Sequence, residues 1–188
     1  MKKVKFSLEA HMWYGEPIKN PYYMFYCLFD VVHPPELKLH LSELMNHTHK
    51  SEIYLQKTPH IVFLIYSLLR SIIRSSYKIL SNSKKYYSIN PIDKSEVSKL
   101  MTFLGALSQE EYLNPYLVFE NVFEKQSVVK LETDLFEITQ FALGDFIEPP
   151  SIEVNTSFIS INRLIEACCY YIRGMNNLNR QKKVEYYP

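Results

Sequence analysis

His40, Glu43 and His47 stand three and four residues apart in the stretch ELKLHLSELMNH. On a helix from Glu36 to Asn46, extended by one residue, they share a face. Two imidazoles and a carboxylate can hold one divalent metal and leave a position open for water. His49 adds a further donor through His47-Thr48-His49. This set points to a metal-dependent hydrolase as one reading. The competing reading is a solvated helix face.

A second group is cationic. Arg70, Arg74 and Lys78 are spaced four apart, with Tyr77 beside them. Lys84, Lys85, Tyr86 and Tyr87 continue the theme. Cations at this spacing meet a phosphate backbone, and tyrosines stack on unpaired bases. The alternatives are contact with a partner protein, a solvated face, or internal neutralisation. Residues 53–92 carry six basic residues and no acid. Residues 101–160 carry ten acids against Lys125 and Lys130. A net charge of +1 therefore hides strong segregation, which makes opposed faces unless the two segments pack together.

Other chemistries are excluded. The only glycines are Gly15, Gly105, Gly144 and Gly174, so no glycine-rich loop can cradle a phosphate. No C-x-x-C occurs. Ser75 with Lys78, and Ser81 with Lys84, spell S-x-x-K without the companion motifs that give it meaning. An arginine followed four to six residues later by a histidine, as small helical ribonucleases use, is ruled out: the first arginine is Arg70 and the last histidine is His60. The cysteines, Cys27, Cys168 and Cys169, are few and odd in number. They read as reduced thiols in a cytoplasmic compartment, and as structural residues rather than nucleophiles. No signal peptide or membrane span is evident.

The element that must position these groups is Thr58 to Leu80. Thr58-Pro59 is a helix start. Val62, Ile65, Leu69, Ile72, Ile73 and Leu80 recur at helical spacing, with Ile61, Leu64 and Leu68 as a second row, so this helix is buried. Before it, residues 3–14 alternate apolar and polar, which predicts a strand. Gly15, Pro17, Asn20 and Pro21 read as a loop. The aromatic run Tyr22 to Val32 reads as a returning strand or a short helix, with the strand favoured. Leu37, Leu39 and Leu41 leave a short strand as the alternative to the Glu36–Asn46 helix.

After the central helix, Asp93 with Glu96, and Ser108 with Glu111, form capping patterns. Asn114-Pro115 restarts a helix through Phe123, with a hairpin over 118–131 as the alternative. A helix from Thr133 ends at Gly144 in a left-handed conformation. Ile152 to Phe158 contributes a short strand. A last helix, Ile159 to Arg173, ends at Gly174.

The expected fold is α+β and helix-dominated, with N-terminal antiparallel strands packed on a central buried helix. The all-α class is the alternative. The expected organisation is one compact domain over 1–175 with a polar tail over 176–188. The expected function is a non-enzymatic protein-interaction or regulatory module, with a protein partner or homo-oligomer, no cofactor and no membrane. The alternatives are a sequence-tolerant RNA- or DNA-binding protein using the surface at 70–87, and the hydrolase with one divalent metal.

Overall fold

The computed structural model describes residues 7–48, 50, 54, 59–86, 105–144, 150–151 and 153–185, with the backbone alone at 59, 85, 86 and 173–185. After a 3₁₀ turn at Ala10–Met12 come α1 (Pro21–Val31), α2 (Pro34–His47), α3 (Pro59–Ser81) and α4 (Ser83–Tyr86). Then follow α5 (Gln109–Leu113), α6 (Tyr116–Lys125), α7 (Val128–Leu143) and α8 (Val154–Glu185). Among the described residues there is no strand, so the fold is all-α and the expected N-terminal sheet is not formed.

The reason lies at the start of α1. The Asn20 side chain accepts the Tyr22 N–H at 2.9 Å, and Pro21 occupies the first helical position. Such a cap contributes about 1 kcal/mol, and proline there loses no hydrogen bond. Met24, Phe25, Cys27 and Leu28 are then buried at helical spacing. Without a second strand, the alternating N-terminal residues have no ladder to join. Leu8 and Ala10 still point inward, but Met12 does not.

Other boundaries also differ. Residues 37–41 lie inside α2. The 118–131 segment is the end of α6, a turn and the start of α7, not a hairpin. Gly144 closes α7 in an extended conformation, φ −121°, not a left-handed one. Residues 154–158 are helical, and α8 continues through Gly174 to Glu185. The Asp93 cap, Thr58 and Ile152 lie outside the described residues.

The centre of the molecule is α3 against α7 and α8, with α1, α2 and α6 around them. Val62, Ile65, Leu68, Leu69, Ile72 and Ile73 are buried along α3, facing Leu131, Leu135 and Ile138 of α7 and Ile161, Leu164 and Ile165 of α8. Each such side chain contributes roughly 1.5–3 kcal/mol by leaving water. One buried polar cluster ties α6, α7 and α8 together. Asp134 accepts hydrogen bonds from Lys130 (2.9 Å) and Ser157, and the Ser157 hydroxyl accepts the Gln126 amide at 2.7 Å.

A second, smaller core lies on the other side of α1: Leu8, Ala10, Ile18, Met24 and Cys27, with Trp13 packed against it. It holds the segment 7–20 as a strap beside α3. Among the described residues, no helix is long and apolar enough to cross a membrane.

Candidate functional site

Arg70, Arg74 and Lys78 follow one another along α3, as their spacing predicts, and the strap runs over them. Arg70 meets Glu9 at 2.9 Å and Glu132 at 3.2 Å. Arg74 meets Glu9 at 2.7 Å, bonds both oxygens of Glu132, and donates to the Ser7 carbonyl at 3.1 Å. Lys78 donates to the Lys19 carbonyl at 2.8 Å. The two arginines thus face two carboxylates, one from the strap and one from the acidic segment. Glu9 sits at φ 58°, in the left-handed region, a conformation costing of order 1–3 kcal/mol that the surroundings must impose. Ser71 completes the seam: it donates to the Leu8 carbonyl at 3.0 Å and accepts the Trp13 indole N–H at 2.9 Å.

The rest of the cationic set disperses. Tyr77 is half-buried, edge-on to Phe123 with centroids 5.3 Å apart. Lys84 is exposed. Lys85 and Tyr86 end α4, with only their backbone described, and Tyr87 lies outside the described residues.

The histidine set does share one face of α2. His40 is buried, with Nδ1 3.2 Å from Glu43 and Nε2 3.6 Å from Glu36. Glu43 also accepts the Tyr54 hydroxyl at 2.7 Å. Burial and that bond raise the tyrosine above its ordinary range. His47 turns Nδ1 to the Glu43 carbonyl at 2.7 Å and lies edge-on to Tyr54. His49 lies outside the described residues. Among those residues, no three His, Cys, Asp or Glu side chains come together in a metal-binding group.

Cys168 is fully buried and bonds Ser76 at 3.3 Å. Burial pushes its thiol well above the ordinary range, away from the thiolate a nucleophile needs.

What sequence reasoning missed is the outer face of α1. Tyr23 and Tyr26, three residues apart, are 52% and 55% exposed. Tyr14 (42%) joins them through a 3.2 Å contact between its hydroxyl and that of Tyr23, and Met12 (63%) lies two residues before Tyr14. Hydrogen bonds to Tyr23 and Cys27 raise the Tyr14 hydroxyl above its ordinary range. The usable signal was Asn20-Pro21: read as a helix start, it puts Tyr23 and Tyr26 on one face.

Comparison with family models, curated proteins and solved structures finds no match to this chain.

Proposed function

We propose that this protein is a non-enzymatic interaction module of the cytoplasm that binds another protein through the tyrosine face of α1. The observation that carries this reading is the grouping of exposed Tyr14, Tyr23 and Tyr26 along the outer side of α1. Large aromatic groups left in water at a rigid surface are what interfaces use as anchors, because each covers a large area and loses little rotamer freedom. The inward face of α1 is fixed by two cores, so the outward face is presented without rearrangement. The free thiols, with Cys27 and Cys168 buried, suit a cytoplasmic setting.

The test is affinity purification of the full-length tagged chain from its native host, beside a Tyr23→Ser/Tyr26→Ser variant. Both positions are exposed, so the variant should keep the wild-type circular dichroism. A protein enriched several-fold with the wild type and lost with the variant is the expected result. A monomeric mass by light scattering, with no protein whose recovery depends on the tyrosines, would overturn the reading. A nucleic-acid-like absorbance ratio that falls after a salt wash would favour the RNA- or DNA-binding alternative instead.

A further inference from the structure

Beside the tyrosine face, where α1 ends and α2 begins against α8, lies a cavity of about 230 Å³. Its walls carry the rings of Tyr26, Phe29 and His33, with Ile172 of α8. Asp30 is the carboxylate among them, and no ion pair to it occurs among the described residues. The volume is below the roughly 300 Å³ at which sites for whole small-molecule ligands begin. It suits one side chain.

Three features give this cavity a preference for positive charge. The first is Asp30 itself. The second is the helix ends. The cavity meets the carbonyl end of α1, whose last turn has no basic residue, and that end attracts cations. The start of α2 would ordinarily oppose this by offering N–H groups to an anion. Here its first two residues are Pro34 and Pro35, which have no N–H, and the Leu37 N–H is bonded to the His33 carbonyl at 3.0 Å. The third feature is the rings of Tyr26 and Phe29, since aromatic faces attract an ammonium group within about 6 Å of the centroid.

We propose that this cavity receives the alkylammonium chain of a lysine carried by the protein partner. The inference rests on the interaction reading above, because Tyr26 belongs both to the exposed face and to the cavity wall. The lysine stem would lie along Phe29 and Ile172, with its charged end at Asp30 between the rings.

The test uses the ¹⁵N-labelled full-length chain and two probes, N-acetyl-lysine methylamide and its uncharged isostere N-acetyl-norleucine methylamide. The lysine probe should shift the amides of Asp30, His33 and Cys169 saturably at millimolar concentration. The shifts should weaken at least several-fold in Asp30→Asn, an exposed substitution whose fold is checked by the rest of the spectrum. The norleucine probe should produce no saturable shift. Equal response to both probes, no saturable response to lysine, or an unchanged response in Asp30→Asn would overturn the proposal. The two readings separate in the affinity purification. A partner lost with Tyr23→Ser/Tyr26→Ser but retained with Asp30→Asn leaves the interaction reading standing and removes the lysine cavity.

Discussion

Glu111 shows how much one side chain settles at the residue scale. It closes a capping box with Ser108, accepts the Asn121 amide at 2.8 Å, and pairs with Arg163 of α8. Burial alone would raise its carboxyl. The Ser108 N–H, the Asn121 amide and the Arg163 charge outweigh that and hold it below the usual carboxylate range. A carboxyl lowered in the folded state stabilises the fold above the unfolded-state pKa, and that contribution is lost as pH falls through the folded one. Glu111→Gln should therefore cost about 1–3 kcal/mol at neutral pH, and the gap should close as pH drops below about 4. Thermal melts at pH 7 and pH 3.5 check this; a gap that stays constant would show that the charge plays no part. The Ser108–Glu111 box was legible in the sequence because capping is local chemistry. The Arg163 partner was not, since nothing in spacing brings residues 111 and 163 together.

At the scale of elements, the lesson is the contrast between α3 and α1. Helix α3 was readable because a single period accounts for its whole apolar content, and the observed Pro59–Ser81 matches the expected span closely. For helix α1 the strand was favoured over the short helix because aromatic content was weighed above a start signal two residues earlier. It is apolar on two sides, and that density obscured the period. The strap escaped sequence reasoning for another reason. Its ties to α3 join Glu9 to Arg70 and Arg74 and Trp13 to Ser71, pairs about 60 residues apart in the chain. The internal neutralisation held open in the charge pattern is what Glu132 performs on both arginines. Trp13 is the chain's one tryptophan, so its fluorescence reports on the strap. Arg74→Ala removes contacts to Ser7, Glu9 and Glu132 together. Its Trp13 emission should move to the red while the helical circular dichroism stays near the wild-type value. An unshifted emission would mean that the smaller core alone seats the strap.

At the scale of the whole molecule, helix α1 stands between two cores. Phe25 and Leu28 enter the main one, and Met24 and Cys27 the smaller one. This arrangement sets an order in time. The strap's apolar seat, with Met24 and Cys27 of α1, is complete only once α1 is docked on α3. The smaller core should therefore assemble after the rate-limiting step of folding, and contacts formed after that step affect unfolding rather than refolding. Met24→Ala should lower stability by about 2 kcal/mol or more, nearly all of it as faster unfolding in stopped-flow experiments. Leu69→Ala, in the middle of α3, should slow refolding as well. Equal slowing of refolding by both substitutions would place the strap in the folding nucleus. With the expected outcome, the strap would be the first part of the native protein to open and the last to close.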